Sequence, residues 1–435
     1  MNDIRPFRGI RFDEAVVGPL GDVVCPPYDI ISPDEQLHLY ARNDHNAIRL
    51  EYGLQYPDDS ASNSRYTRAA KALEDWLAEG VLKLEPGPAL YLYEQQFALE
   101  GKVMVRRGIL SAVRLTPWEE GVVLPHEETM AGPKADRLQL MRATACNLSP
   151  LFLMYDDPDG AVQRVTSGMW STAPDAIART DDGQTHRLWV VRGEDAEQLA
   201  NALSTPQLYM ADGHHRYETA LAYQQERRDS DPSRTGDVPY DYALMLLVDA
   251  QDPGLVVLPT HRLVKGVPSQ TLAMLESRLP AVFDVEVVPV EGMATAEIAE
   301  RLRTMMARGG DDTPTLGLYR SGRVVQLLRL RQPVPKPAAG SRPLLDVDVL
   351  HEQLMLPVLG IGPSELAAGT MVTYTRDVAG ALEAVDRGEA QLALLLNSTK
   401  VQQVLETALA HGKMPQKSTY FYPKAVTGMV FHRLK

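Results

Sequence analysis

The chain has 435 residues, 44% of them hydrophobic and 23% charged, which is more than one ordinary core needs and points to two or three domains. A formal net charge of -13 sets up a field that repels polyanions, which excludes a general nucleic-acid or anionic-membrane binder. The two cysteines, Cys25 and Cys146, form no C-x-x-C pair, so zinc ribbons and thioredoxin-type redox motifs are excluded as well.

The opening "MNDIRPFRGI" has no apolar signal region, and no apolar run approaches the ~20 residues of a spanning helix. A cytoplasmic protein with two reduced thiols is expected. Residues 62–82 repeat with helical period, with Tyr66, Ala69, Ala70, Leu73, Trp76 and Leu77 on one face. Two strand-like runs follow, "ALYLYEQQFAL" and "VMVRRGILSAV", joined at Glu100-Gly101-Lys102 as in a hairpin. Residues 115–150 are charged and weakly periodic and read as a long irregular connection.

Strands are expected at "SPLFLMYD" and "HRLWVVRG", with a helix over 194–203 and another over 214–228. "RRDSDPSRTGD" (227–237) reads as a linker, dividing the chain into an N-terminal domain, 1–235, and a C-terminal α+β domain, 236–435. Beyond it, "YALMLLVDA" and "GLVVLPTHRLV" are strands, and helices are expected near 268–279, 294–308, 347–357, 377–387 and 399–411. Pro-rich 331–343 reads as an exposed loop. Hairpins mixed with crossover helices make the fold class α+β with mixed sheets.

Chemistry concentrates in "LYMADGHHRY" (208–217), a short strand, a turn and a helix start. Asp212 is the expected N-cap. The amides of Gly213, His214 and His215 then point out of a positive helix end, which favours an anion, phosphate above all. Arg216 adds a fork for phosphate oxygens and the histidines can move a proton near neutral pH. Adjacent histidines do not share a helix face, so a two-histidine metal site here is not expected.

"LPHEETMAGPKADR" offers Glu127 or Glu128 as a base and Lys134 and Arg137 as phosphate-neutralising cations. An H-E-x-x-H zinc motif would need histidine at 130, which is Met130. "PQKSTYFYPK" supplies Lys417, Ser418, Thr419 and Lys424 as further anion ligands. "CPPYDIIS" places Asp29, able to bind an amine or a metal, behind two rigidifying prolines. His261 and His351 stand alone and read as core or surface residues. The P-loop, the dinucleotide fingerprint, the protein-kinase set and the G-x-S-x-G elbow are missing from the sequence.

"MADGHHRYETAL", "CPPYDIIS", "PHEETMAGPKADR", "NLSPLF" and "MPQKSTYFYPKAVTGMVFH" together resemble a widespread bacterial and archaeal family catalogued as a domain of unknown function. The D-G-H-H-R block also resembles the phosphate-binding motif of free-serine kinases of the ParB/sulfiredoxin superfamily. That resemblance implies a ParB/sulfiredoxin-like core and a phosphotransferase. Its phosphate would come from a nucleotide (ATP or ADP) or pyrophosphate, with Mg2+, and go to a small hydroxyl metabolite such as serine. It also implies phosphate handling by residues 212–216 and a glutamate base, for which Glu127 or Glu128 stands nearest. The same residues would serve a phosphomonoester hydrolase, and a ParB-like nucleotide-binding regulator is the remaining alternative.

Overall fold

The computed structural model describes residues 1–127, 131–309, 313–331, 342–415 and 417–435. The architecture is α+β, as expected. Two compact units divide the chain: one holds 1–125, 129–256 and 421–435, the other 126–128 and 257–420. This division falls at 256/257, not at 235/236. The helix after the D-G turn runs on to Ser230, and the next strand, Tyr242–Asp249, lies inside the first unit's sheet.

The first unit is built on one mixed sheet. Its main path runs through β1 (Ala89–Leu99), β2 (Lys102–Arg114), β3 (Val123–Leu124), β4 (Leu151–Tyr155), β5 (Ala176–Arg179), β6 (Thr185–Arg192), β7 (Leu208–Asp212) and β8 (Tyr242–Asp249), in the order β3-β7-β4-β8-β2-β1-β6-β5, and a ninth short strand, Ile4–Arg5, pairs with β2. The expected hairpin is β1–β2, and its turn residues Glu100 and Gly101 both take positive φ, 50° and 75°, matching the twist of the strands. β4 and β8 run parallel at the centre, buried along almost all of their length. Buried continuous strands carry apolar residues on both faces, which is why "LFLMY" and "YALMLLV" do not alternate.

Four longer helices matter for the site: α1 (Arg65–Ala78), α2 (Ala131–Thr144), α3 (Gly193–Leu203) and α4 (His214–Ser230). α1 begins at a capping box between Ser64 and Thr67, and buries Ala69, Leu73 and Trp76. α2 corrects the reading of 115–150 as an irregular connection. Its apolar period is blurred because charged residues take up its exposed faces: Lys134 pairs with Glu218, Asp136 with Arg65, and Arg142 with Glu226.

The second unit carries a six-stranded sheet. Its strands β9 (His261–Val264), β10 (Phe283–Val287), β11 (Thr315–Arg320), β12 (Val324–Leu330), β13 (Val372–Thr375) and β14 (Leu392–Leu395) lie in the order β10-β12-β11-β14-β9-β13. Helices α5 (Thr295–Ala307) and α6 (Val378–Asp386) pack on it, sharing a core with Tyr319, Val325, Leu327 and Leu395. The helix expected at 347–357 is there, but its stretch Leu350–Leu359 is wound as a π-helix with Pro357 inside. Most of the Pro-rich 331–343 loop lies outside the described residues. Cys25 and Cys146 are buried thiols, unjoined. Among the described residues, no helix is long and apolar enough to cross a membrane.

Candidate functional site

The strand–turn–helix at 208–217 is built as its sequence suggests, with one correction. Asp212 is not the N-cap. It is the last residue of β7, after a bulge that shifts the register against β4 between Met210 and Asp212. The cap is Gly213, at φ +98°, and it supplies no side-chain cap to the 17-residue α4. Glycine is required twice over here. Left-handed backbone disfavours any Cβ, and one placed at 213 would lie 2.9 Å from Leu151 Cδ2 and 3.1 Å from Arg216 Nη2.

Released from capping, the Asp212 carboxylate becomes the anion of a cation cluster. Oδ1 accepts from Lys424 Nζ, and Oδ2 accepts from Arg216 Nη2 at 3.1 Å. Burial pushes its pKa up, but the charges of Lys424 and Arg216 outweigh that and hold it far below the ordinary carboxylate value. Lys424 is buried, and its Nζ also lies 3.8 Å from Asp29 Oδ2. The amine that Asp29 was expected to bind is therefore one of the chain's own.

Arg216 faces inward. Besides Asp212, its Nη1 donates to Ser149 Oγ (3.1 Å) and to the Pro150 carbonyl (2.8 Å). Its fork braces the turn against the start of β4, so a direct phosphate fork is not its resting arrangement. Burial lowers its pKa, yet Asp212 and Asp29 more than restore it. His214 is buried, with Trp118 6.4 Å away ring to ring, and Trp118 stacks on Tyr217 at 4.2 Å. His215 is half-buried.

Behind Arg216 lies a cavity of about 50 Å³, lined by Glu51, Arg137, Cys146, Ser149, Arg216 and apolar residues of α2, β4, α4 and β8. Arg137 is not turned toward an incoming anion either. It pairs with Asp136, donates to the Glu51 carbonyl at 2.9 Å and stacks over Tyr28 at 4.0 Å. Lys134 is committed to Glu218.

The remaining expected residues belong to the second unit, where two distant blocks meet. Lys417, at φ +60°, donates its amide to Glu127 Oε1 at 3.1 Å across 290 residues, and His126 Nε2 shares a hydrogen bond of 3.0 Å with Thr419 Oγ1. Ser418 Oγ donates to the Pro415 carbonyl, and Arg262 Nη2 donates to the Lys417 carbonyl at 3.4 Å. Glu128 and Thr129 lie outside the described residues. His261 is a core histidine and His351 is half-buried; both are held down to about 4 by burial and then by the charge of Arg262.

Among the described residues, no group of three or more His, Cys, Asp or Glu is arranged to hold a metal ion, and Asp212 is engaged by two cations. These residues do not fit a resident Mg2+.

The solved structures to which the chain is similar include three of low identity. A free serine kinase in complex with AMP shares 13% identity at a TM-score of 0.35, covering 71% of this chain and 88% of that one. A conserved hypothetical protein from Pyrococcus furiosus shares 13% at 0.34, covering 71% and 92%. C-terminally truncated SbnI from Staphylococcus aureus shares 10% at 0.34, covering 73% and 85%. No curated protein matches. A family model matches residues 4–350, most of the chain, and the protein belongs to that family, described as "Protein of unknown function (DUF1015)".

Proposed function

We propose that the chain is a small-molecule phosphotransferase, taking phosphate from a nucleotide or pyrophosphate and passing it to a small hydroxyl metabolite, with serine the first acceptor to test. One observation carries this reading: a left-handed glycine turn opens a long helix beside a carboxylate that already gathers Lys424 and Arg216. A third cation, Arg106, also feels the charge of Asp212. Asp29, 3.8 Å from Lys424, and Glu51, whose charge acts on Arg216, join Asp212 in facing these cations. Three cations gathered at one turn suit the oxygens of a phosphate.

In phosphoryl transfer, positioning and neutralisation of the phosphate supply most of the rate. Gly213 lets the phosphate approach the backbone at the helix end. Lys424, aimed by Asp212, neutralises its oxygens. Asp212 stays ionised and is a weak proton acceptor, so it aims cations and removes no proton. An imidazole accepts a proton near neutral pH, and His215, half-buried on the first turn of α4, is the group to take one from the acceptor hydroxyl. His214, buried against Trp118, holds the turn. Glu127, Lys417, Ser418 and Thr419 enter no step of this scheme.

The test is turnover. Purified protein, with and without Mg2+, is mixed with ATP, ADP or pyrophosphate and a panel of hydroxyl amino acids, and followed by 31P NMR. A new phosphomonoester signal, lost in His215→Ala and Lys424→Met, is the expected result. Inorganic phosphate released from phosphoserine without any donor would replace transfer by hydrolysis. Silence with every donor, from folded protein, contradicts the proposal.

A further inference from the structure

Lys424 reaches Asp212 from 212 residues away in sequence, on a segment with little regular structure of its own. A buried polar row holds that segment. His186, Gln95 and Arg106 stand side by side across β6, β1 and β2, because the strand register pairs His186 with Gln95 and Gln95 with Arg106. Their exposures are 0%, 0% and 1%. Polar groups at such depth need partners; Gln95 and Arg106 find theirs in the segment that carries Lys424, and His186 bonds Tyr93.

Arg106 Nη1 donates to the Tyr422 carbonyl at 3.3 Å, and Nη2 donates to the Pro423 carbonyl at 2.6 Å. Gln95 Nε2 donates to the Lys424 carbonyl at 3.0 Å, and its Oε1 accepts from Arg106. Three consecutive carbonyls are thus held by two interlocked side chains. Two residues along β1 from Gln95, the Tyr93 hydroxyl bonds His186 Nδ1 at 2.7 Å and the backbone of Val426. The Arg106 guanidinium also lies 4.8 Å over the ring of Phe152, the residue that the register sets opposite Asp212. The row therefore holds the Lys424 backbone and packs on Phe152, the strand neighbour of Asp212.

Stability alone does not account for Arg106. Burial draws its pKa down to about 10, the mark of a charge held away from water, and a packed apolar side chain commonly suits such a place as well or better. An apolar side chain would hold no carbonyls.

We propose that Arg106 and Gln95 are positioning residues that fix the backbone of Lys424 so that its ammonium meets Asp212 at the Gly213 turn. The use of that ammonium on phosphate rests on the function proposed above, but the clasp itself can be tested without turnover. Full-length protein is pulsed with an amine-acylating ester, and each lysine is followed by peptide mass spectrometry. Lys424 is expected to react slowly in the wild type. In Arg106→Met and Gln95→Leu its rate should rise tenfold or more, while exposed Lys71 and Lys102 keep theirs. Arg106→Lys, which keeps the charge but loses the fork, should release Lys424 as well.

Pyrophosphate binding, measured calorimetrically on the same variants, separates the two claims. Release of Lys424 with loss of binding supports both. Release with binding unchanged upholds the clasp and overturns the phosphate role of Lys424. Equal protection of Lys424 in wild type and in folded Gln95→Leu overturns the clasp, and that variant decides alone if Arg106→Met does not fold.

Discussion

Replacing Asp212 by Asn removes one charge and almost no volume. Lys424 is 6% exposed, Arg216 13% and Asp212 23%. Deleting one partner of a buried ion pair costs ~3–5 kcal/mol, because the other charge is left uncompensated. Partial exposure of Asp212 lets solvent screen some of this, so the expected loss is ~2–3 kcal/mol. All four tryptophans, Trp76, Trp118, Trp170 and Trp189, lie in the first unit, so urea unfolding followed by tryptophan fluorescence reports on that unit. The pH dependence follows from the depressed carboxyl. Its folded-state pKa lies below the ordinary 3.8, so the stabilisation is full above that value and is lost as pH falls through the folded pKa. The wild-type advantage over Asp212→Asn should be level at neutral pH and shrink in acid. Lys424→Met should cost less in the Asn background than alone, by ~1 kcal/mol or more. A penalty under ~0.5 kcal/mol at neutral pH, set against the expected cost of a broken buried pair, or one that persists unchanged in acid, would refute the reasoning.

Gly213→Ala places a Cβ at φ +98°, 2.9 Å from Leu151 Cδ2. Left-handed backbone alone costs ~1–2 kcal/mol, so urea unfolding should show at least that loss, with pyrophosphate affinity falling more than tenfold. His186 and His432 of the first unit are held down to about 4 by burial. Between about 4 and the ordinary 6.5, the unfolded chain binds more protons, so first-unit stability should rise with pH across that window by up to ~1.4 kcal/mol per pH unit for each histidine. A flat profile there would contradict their burial. Lys134→Ala removes a partly exposed pair with Glu218 and should cost under ~1 kcal/mol, leaving pyrophosphate affinity within about twofold.

Local chemistry was legible in the sequence where one short segment decides it. The β1–β2 hairpin, α1 and the turn at 213 follow from Gly101, from the apolar period of 66–77 and from the D-G pair. The cap was misplaced because Asp212 suits an N-cap by type, and only long-range pairing shows that Lys424 and Arg216 claim its oxygens. Lys424 was visible as one cation of a C-terminal block. Its partner was not, since nothing local links residues 212 positions apart. Arg106 and Gln95 were hidden inside "VMVRRGILSAV" and "ALYLYEQQFAL". Neither run alone shows which neighbours its charged and amide residues meet; the register lines them up with His186 in a buried row. The helix α2 was missed because ion pairs on several sides replace the apolar stripe that periodicity detects.

The central claim is that phosphate sits at the Gly213 turn with Lys424 neutralising it. Calorimetric titration of pyrophosphate and of ADP into wild type, Lys424→Met and Gly213→Ala tests it most directly. The account predicts saturable binding in the wild type that weakens with salt and is lost, by tenfold or more, in both variants. Equal affinity in all three folded proteins, or no binding to the wild type, would contradict it.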